Sequence, residues 1–588
     1  MGTISDKLMR IINTKEDIRQ ALISKGYDVP TSIPFKEYAK MISDLPCKVD
    51  DFPKLPGDVT RWYFGGLTNE MMAAMDDPRI EDADHKGRFL SFKNFAWGGM
   101  SRVGGYTENY NSNKWYKVEL RIDATWTYKS FNARSIKDNR AAQLFYQSSL
   151  SGTGFRVLSC TIKVSGLTDG QGIEYVSNGT QQFVIMRIEN DGIYHLPSFD
   201  FGAKNAYYGF KFLKLQESCN ITIEQLPLYP GALVFDGVDD YGICDNFPIL
   251  TKEKGYTVVA LRQWIEEKND STALVSNCEK WNKNGAFLFE YNNLRINFLN
   301  VAISFGHVSS VDRGKSPFSY QTSKLYNGKN IEPGSLIGSN ELVVGKGNKD
   351  FSTVSKVAIW ELIILDHDAT EEELTKIKDY FVKTYPWLFP DQAWTVAGKT
   401  NEDEDRATIA NITGNGNDLV LSNFGFIEGS GYNEEGEHAG YLVTDGVDDK
   451  IISSVFKMGK DFTVVGEWVL LQNINTSSLR KDGSFVIRNH EEGLSMTINR
   501  TSPYIRVHDK SLKAFCSNGA IYKSDWTEQI DTTPQSSTGG SSQLMIAGRE
   551  RTIEYDKIAF KNLAIYPTVL SKDDCIKAYN YLQTLKSK

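Results

Sequence analysis

Two acidic turns contain the residues whose chemistry is easiest to name. The string DGVDD places Asp239 beside Asp240, and it returns unchanged with Asp448 beside Asp449. Such pairs could ligate calcium, because hard cations take carboxylate oxygens. They also suit a tight turn, where aspartate accepts backbone hydrogen bonds and glycine supplies a positive φ. The turn is the favoured interpretation; the sequence leaves calcium binding open, and we assign no metal or cofactor.

The densest acidic cluster, 401–405, raises the question of glycoside hydrolysis. That reaction needs two carboxylates that flank one sugar bond, and on a strand they must alternate to share a face. Here they are consecutive, and no apolar strand carries them. We therefore predict a solvated loop. The chain also has no GxSxG, HExxH or GxxxxGK[ST] motif, so we expect no enzyme and name no catalytic residue.

Aromatic residues are the better candidates for a binding function, because sugars present apolar faces that stack on aromatic rings. Trp264 and Trp468 follow matching apolar strands in two halves of the chain, so we predict that both are core residues. Trp281 and Trp526 have no repeat partner and lie among polar residues. They are the predicted ligand-binding residues.

An internal repeat positions all these groups. An apolar run precedes each DGVDD string, which predicts a strand, an Asp-Gly turn and a second strand, as in a hairpin. Trp62 precedes Asp236 by 174 positions, whereas Trp394 precedes Asp445 by 51, so the first copy has 123 extra residues. Short strand patterns between turn signals predict an inserted β-sandwich at about 106–229. The first repeat then spans 51–389 and the second 390–588.

Each repeat is predicted to end in a short helix, because a typical N-capping residue precedes the segment. Thr370 precedes three glutamates, and Ser571 precedes Lys572 and two aspartates, so each can accept a hydrogen bond from the first helical turn. The apolar residues of these helices should pack against a sheet. They are Ile377, Tyr380 and Phe381 in the first helix, and Ile576, Tyr579 and Leu582 in the second.

Residues 1–50 differ in class from the rest. They predict short helices with an apolar stripe too wide for so small a segment to bury alone, formed by Leu8, Ile11, Ile12, Ile18, Leu22 and Ile23. We interpret this segment as an anchor on a partner or on copies of the same chain. The alternative is a helical cap on the next domain. A Pro-containing linker, 48–58, should follow it.

Composition narrows the function classes. With 588 residues the chain is long enough for about three or four domains, and its net charge of -8 gives no basic footprint for nucleic acid. No apolar run is long enough to insert in a membrane, and the N-terminus lacks the plan of a signal peptide. The seven cysteines form no CxxC pair, so we expect reduced thiols made in a cytoplasm.

The paired turns and closing segments resemble laminin-G-like, concanavalin A-like jelly rolls. The matching segments are 236–240 with 365–373, and 445–449 with 569–574. The resemblance implies a mainly β fold. Tandem jelly-roll sandwiches would carry an inserted β domain and a short helical N-terminal anchor.

The segment 17–26, with Pro30 and Pro34 after it, resembles the adaptor that opens many tail appendages of tailed bacteriophages. The repeated motifs Thr-Asn-Glu, Asn-Phe and DGVDD resemble those of virion proteins of phages that infect gut Bacteroidales, including the crAss-like group. These resemblances imply a structural tail appendage or tail fibre, made in the host cytoplasm and located in the virion. It would be a homo-oligomer that docks on other tail proteins through 1–50 and displays lectin-like modules to a host-surface glycan or receptor. The alternatives are a virion-associated polysaccharide-degrading enzyme and a bacterial surface adhesin.

Overall fold

The structure is a computed structural model. It describes Lys15 and the ranges 51–97, 103–107, 115–117, 122–127, 129–136, 142–147, 155–157, 159–178, 182–197, 199–201, 207–214, 219–251, 253–266, 272–278, 285–291, 316–331, 338–347, 349–350, 353–434, 438–472, 477–490, 493–498, 504–533, 540–547 and 555–587. The predictions for the anchor, 1–50, therefore lie outside the described residues.

Antiparallel strands dominate the described chain, which is mainly β as predicted. The first repeat begins with β1 (Val59–Tyr63), β2 (Arg79–Glu81) and β3 (Phe89–Lys93). It resumes with β16 (Leu233–Asp236), β17 (Tyr241–Cys244), β18 (Thr257–Glu266), β19 (Val275–Cys278), β20 (Gly285–Phe289), β21 (Phe318–Thr322), β22 (Leu325–Tyr326), β23 (Lys329–Asn330), β24 (Leu342–Val344) and β25 (Lys356–Leu365).

The insert and the second repeat contribute the remaining strands. The insert has β4 (Trp115–Lys117), β5 (Ile122–Trp126), β6 (Ser130–Ile136), β7 (Ala142–Gln147), β8 (Phe155–Val157), β9 (Cys160–Ser165), β10 (Gly172–Asn178), β11 (Gln182–Ile188), β12 (Gly192–Leu196), β13 (Phe199–Phe201), β14 (Tyr207–Leu213) and β15 (Ile221–Gln225). The second repeat has β26 (Gln392–Thr395), β27 (Thr408–Ile409), β28 (Leu419–Ser422), β29 (Gly431–Tyr432), β30 (Leu442–Val443), β31 (Lys450–Met458), β32 (Thr463–Leu470), β33 (Ser477–Lys481), β34 (Phe485–His490), β35 (Gly493–Ile498), β36 (Ile505–Arg506), β37 (Leu512–Cys516), β38 (Ala520–Lys523), β39 (Glu528–Ile530), β40 (Gly540–Ile546) and β41 (Ile558–Tyr566).

Three helices and one 3-10 turn complete the described elements: α1 (Asn69–Ala73), α2 (Glu371–Thr384), the 3-10 turn Pro386–Leu388, and α3 (Lys572–Thr584).

The two repeats build sandwiches with matching strand order. In the first, β1-β25-β18-β21-β22-β23 form one sheet, with β16 also on β25, and β2-β3-β17-β24-β19-β20 form the facing sheet. In the second, β29-β30-β41-β32-β37-β38-β39, with β26 also on β41, face β27-β28-β31-β40-β33-β34-β35-β36. β25 and β41 thus occupy equivalent central positions, with β18 and β32 beside them.

The inserted strands pair only among themselves within the described chain. β11-β10-β14-β7-β4 and β12-β9-β15-β6-β5 are two five-stranded sheets, and β13 pairs with β8. Side chains such as Phe131, Ile162, Ile173 and Phe210 form a core of their own. The three groups of strands lie within 59–365 for the first repeat, 115–225 for the insert and 392–566 for the second repeat.

The DGVDD strings do not form hairpins, so that prediction is wrong. β16 pairs with β25 in one sheet, whereas β17 pairs with β3 and β24 in the facing sheet. The string is therefore a corner that carries the chain from one layer to the other. The second copy does the same between β30 and β31. A hairpin and a corner between two sheets share the same strand–turn–strand sequence pattern. The pattern does not show which neighbour each strand pairs with.

Both closing helices begin as predicted. The Thr370 side chain accepts a hydrogen bond from the Glu373 amide, and Ser571 accepts one from Asp574. Of the predicted packing residues, Ile576 is half-buried and the other five are buried.

A fourth core lies outside the sandwiches and joins them. β25 is buried along nearly its whole length because it has two apolar faces. Ile359 and Leu362 point into the first sandwich, whereas Trp360 and Ile363 pack in the joining core with residues of both closing helices.

A buried glutamate fixes α2 on this sheet. Glu361 accepts hydrogen bonds from Tyr380 (3.2 Å) and Tyr385 (3.1 Å) and pairs with Arg61 at 3.3 Å. Phe52 lies 5.2 Å from the Tyr380 ring. The described part of the predicted linker, 51–58, therefore packs on the first sandwich.

The insert docks on the second sandwich through His195. Its Nε2 lies 3.5 Å from the Lys561 Nζ, and its Nδ1 lies 3.3 Å from the Thr161 hydroxyl. Lys561 and Lys513 also lie 3.5 and 3.9 Å from the buried Glu467. A neutral imidazole can accept from Lys561 and donate to Thr161, whereas a charged one has no acceptor for the lysine.

Burial is the main cause that lowers the pKa of His195 from 6.5 to about 3, and repulsion from Lys561 is the second. Attraction by Glu467 opposes this shift. A histidine with a lowered pKa stabilises the fold fully above its unfolded pKa, and that contribution is lost as the pH falls towards the folded value. We expect the thermal midpoint to fall more steeply for the wild type than for His195→Gln between about pH 6.5 and pH 5. Equal slopes in differential scanning calorimetry would show that His195 does not titrate at this contact.

Candidate functional site

The acidic turns are stabilised by their own aspartates. The Asp240 carboxylate accepts from the Asp236 amide at 3.1 Å, and Asp449 accepts from Asp445 at 2.7 Å. Gly237 and Gly446 have φ of 77° and 78°. Asn94 and Asn423, at matching positions before the turns, each donate to a turn carbonyl at 3.0 Å. These contacts confirm the turn interpretation.

The backbone conformation of each turn also brings its three aspartate carboxylates close together. Oxygen atoms of Asp236, Asp239 and Asp240 lie within 4.8 Å of one another, as do those of the second turn. Burial raises the pKa of Asp449 to about 6. The turn contacts account for the carboxylates of Asp236, Asp240, Asp445 and Asp449, and we assign no ion to either turn.

The acidic run 401–405 is a turn region, as predicted. Glu402, Glu404 and Asp405 are exposed, and Asp403 accepts a hydrogen bond from the Thr400 amide. No strand presents these carboxylates together.

Among the described residues, a concave site lies where β21, β22 and β23 meet α2. It is a groove of about 450 Å³, within the range of about 300–1,000 Å³ that is typical of small-molecule sites. The described lining residues are Arg262, Ser316, Phe318, Tyr320, Tyr326, Asn327, Lys329, Glu371, Leu374, Thr375 and Lys378. We call it the β21–α2 groove.

Alternation along β21 supplies the aromatic wall. Phe318 and Tyr320 point to the same face of the strand, where both are half-buried and their ring centres lie 5.9 Å apart. Phe318 also packs against Phe381 of α2, at 6.1 Å. The helix therefore holds the aromatic wall in place and leaves part of each ring exposed.

A buried hub fixes the inner side of the groove. Glu290 accepts from the Trp264 indole at 2.6 Å and from the Ser319 hydroxyl at 2.5 Å, and it pairs with Arg262 at 2.5 Å. Burial would raise the pKa of Glu290, but the Arg262 guanidinium holds it below its usual range. Glu290 has φ of 53°, an uncommon conformation for a residue with a side chain. The surrounding contacts stabilise it, and they position Arg262 at the groove.

A tight turn keeps the groove open. β22 and β23 are joined by Asn327 and Gly328 alone, with φ of 46° and 82°. Both residues are left-handed, as in a two-residue type I′ hairpin, for which Asn-Gly is a favoured sequence. The side-chain amide oxygen of Asn327 accepts a hydrogen bond from the backbone N–H of Tyr320 at 2.8 Å. The hairpin is thus too short to fold over the aromatic wall.

The second sandwich fills the equivalent space with its own residues. There β38 and β39 are joined by four residues, 524–527. This longer loop carries Trp526, whose ring lies 6.1 Å from Tyr522 and 5.7 Å from Tyr579 of α3. Trp526 is only 2% exposed. Its predicted role as a sugar-stacking residue is not supported, because the ring is enclosed in the joining core.

The insert seals the second copy further. A side chain added to Gly192 would come 3.1 Å from the Asp525 carbonyl, so β12 lies directly against the 524–527 loop. His195 lies 6.0 Å from the Tyr579 ring. Among the described residues, the equivalent face thus serves for internal docking in the second sandwich and forms a partly exposed groove in the first.

The other tryptophan predictions have different outcomes. Trp264 and Trp468 are 8% and 3% exposed and belong to the two sandwich cores, which confirms them as core residues. Trp281 lies outside the described residues. The groove residues Phe318, Tyr320 and Lys329 were missed by sequence reasoning. The unequal hairpin lengths of the two copies were the signal that could have found them.

No protein-family model matches the chain. No curated protein matches it either. Among solved structures, the binding domain of Paraclostridial Mosquitocidal Protein 1 aligns at 11% identity and a TM-score of 0.20, over 32% of this chain and 51% of that one. Trypanosoma rangeli sialidase in complex with sialic acid aligns at 9% identity and a TM-score of 0.22, over 78% of this chain and 83% of that one.

The aligned region thus spans about half the length of the mosquitocidal binding domain. Both scores are too low to carry an argument about fold or ligand. None of the described helices is both long and apolar enough to cross a membrane.

We predict that Trp526→Ala destabilises the second sandwich by about 3–5 kcal/mol, because it empties a buried aromatic site. Trp526→Phe should retain most of that stability. Val447→Ala is the surface control, since Val447 is 69% exposed. Chemical denaturation with fluorescence detection measures the difference. An Ala variant as stable as the wild type would mean that the ring does not fill the site.

Proposed function

We propose that this protein is a structural tail appendage or fibre of a tailed phage, and that its first sandwich binds a host-surface glycan in the β21–α2 groove. The observation that carries the binding proposal is the contrast between the two sandwiches. The second fills this face with Trp526 and the insert, whereas the first leaves an aromatic-lined groove accessible.

The groove offers the contacts that a sugar needs. The partly exposed faces of Phe318 and Tyr320 suit stacking on the apolar face of a sugar ring. Thr375 donates to the Glu371 carbonyl at 2.8 Å, which leaves its oxygen able to accept from a sugar hydroxyl. Lys329 and Lys378 supply donors from opposite walls. The walls are a β-hairpin and a capped helix, so the site is largely preformed.

Binding without hydrolysis suits the charges at this site. Glycosidases generally use two carboxylates about 5–10 Å apart. Glu371 is the one carboxylate among the described lining residues. We therefore propose a lectin-like role for the groove and no glycosidase activity.

The phage assignment depends on the segment resemblances and on the modular plan. The sequence combines a predicted helical segment, 1–50, with repeated β modules. This plan suits an appendage that attaches to the virion through its N-terminal segment and presents its β modules to the host surface. Residues 1–50 would dock on other tail proteins or on copies of the chain.

Tyr320→Ala should weaken glycan binding about 2- to 10-fold, the loss expected when one aromatic contact of about 0.5–1.5 kcal/mol is removed. The measurement is biolayer interferometry against purified surface polysaccharides from candidate host bacteria. Val238→Ala is a matched surface control, since Val238 is 72% exposed in the acidic turn.

Unchanged binding by Tyr320→Ala would place the glycan elsewhere. Release of reducing ends from the same polysaccharides would instead favour an enzyme.

Deleting residues 1–50 should leave a folded, soluble β body that no longer incorporates into particles. Mass spectrometry of purified virions, compared with the full-length protein, measures copy number. A truncated protein that assembles at normal copy number would refute the anchoring role.

A further inference from the structure

The lysines of the β21–α2 groove point to a particular class of glycan. We infer that the groove selects a carboxylated sugar, such as a uronic acid unit, whose carboxylate lies between Lys329 and Lys378. This inference rests on the proposed glycan-binding function and specifies its ligand.

The two lysines approach the groove from different elements. Lys329 begins β23 and is exposed on the hairpin wall, whereas Lys378 is exposed on the third turn of α2. Both line the same cavity. A ligand in the groove therefore has an ammonium group on each side.

Neither groove lysine makes an ion pair with a described residue, although their neighbours do. On α2, Lys376 pairs with Glu372 at 2.7 Å and Lys383 with Asp51 at 2.8 Å. Beside the hairpin, Lys324 pairs with Asp368 at 2.9 Å. In a chain of net charge -8, the groove thus holds two lysines that form no ion pair with any described carboxylate.

The remaining charges of the lining leave this pair dominant. The Arg262 charge is balanced by buried Glu290. Glu371 lies in the first turn of α2, where the helix dipole stabilises a negative charge. Among the described lining residues, the exposed charges are therefore two positive and one negative, in favour of an anion.

The lysine pair belongs to the accessible copy alone. β22 pairs Tyr326 with Lys329, whereas the equivalent hairpin pairs Ile521 with Gln529. In the helices, Lys378 is the eighth residue after its cap, and the eighth residue after the second cap is Tyr579. The sealed copy therefore has neither cation, and the accessible copy has both.

A carboxylated sugar satisfies both features of the groove. Its ring can stack on Phe318 or Tyr320, while its carboxylate accepts from the ammonium groups. Because both lysines are exposed, their contribution should be screened by salt. An inorganic anion would satisfy only the lysines, and a neutral sugar only the aromatic wall.

The test uses oligosaccharides of polygalacturonate, alginate and hyaluronate, each beside its carboxyl-reduced, neutral form, with the full-length protein in isothermal titration calorimetry. We expect at least one uronate to bind about 10-fold or more tightly than its reduced form, a difference of about 1.4 kcal/mol. The Lys329→Gln/Lys378→Gln variant should lose that preference. Lys324→Gln, a neighbouring exposed lysine, should keep it.

The outcomes separate this inference from the proposed function. Neutral glycans that bind as well as or better than every uronate would overturn the carboxylate assignment and leave glycan binding intact. So would a preference that survives the double substitution. Displacement of the uronate by an equal concentration of sulfate ion would mean a general anion site. If no uronate, reduced form or host polysaccharide binds, the proposed function fails and the inference fails with it.

Discussion

The arrangement of the whole chain depends on burying the outer faces of two sheets in one joining core. A sandwich normally exposes those faces, but here β25 and β41 are apolar on both sides and need a second layer. The closing helices supply it, and buried glutamates fix the positions: Glu361 under α2 and Glu467 near α3. A buried carboxylate is costly unless fully paired, so each tolerates few alternative arrangements of its partners. Sandwiches, helices and insert are thereby held together.

The layer formed by the closing helices also explains how the same fold can have a sealed face in one copy and a groove in the other. In the second sandwich the helix-covered face is finished internally, by Trp526 and by the docking of β12 through His195. In the first sandwich the shorter Asn327-Gly328 hairpin stops short of α2 and leaves the groove. A loop longer by two residues, Tyr579 in place of Lys378, and the docked insert distinguish the sealed face from the accessible one. The shared fold does not determine whether this face can bind a ligand, because that depends on these local differences.

Local signals predicted much of the fold and little of the candidate site. The Thr370 and Ser571 caps, the glycine turns and the buried Trp264 and Trp468 follow from short-range patterns that the repeat doubles. The DGVDD corner was mistaken for a hairpin because pairing partners are set by residues far along the chain. Trp526 looked accessible among its polar neighbours, since nothing local shows that α3 and the insert cover it. The groove joins β21–β23 to α2 across about fifty residues, so only tertiary structure brings its walls together.

We propose that the first sandwich presents the binding face, whereas described residues close the equivalent face of the second. Hydrogen–deuterium exchange of the full-length protein, with and without a saturating host glycan, tests it most directly. We expect slower exchange in the amides of 318–330 and 371–378 when the glycan binds, and no change in 512–530. Protection confined to the second sandwich or to the insert would contradict it, because those surfaces should have no accessible groove for the glycan.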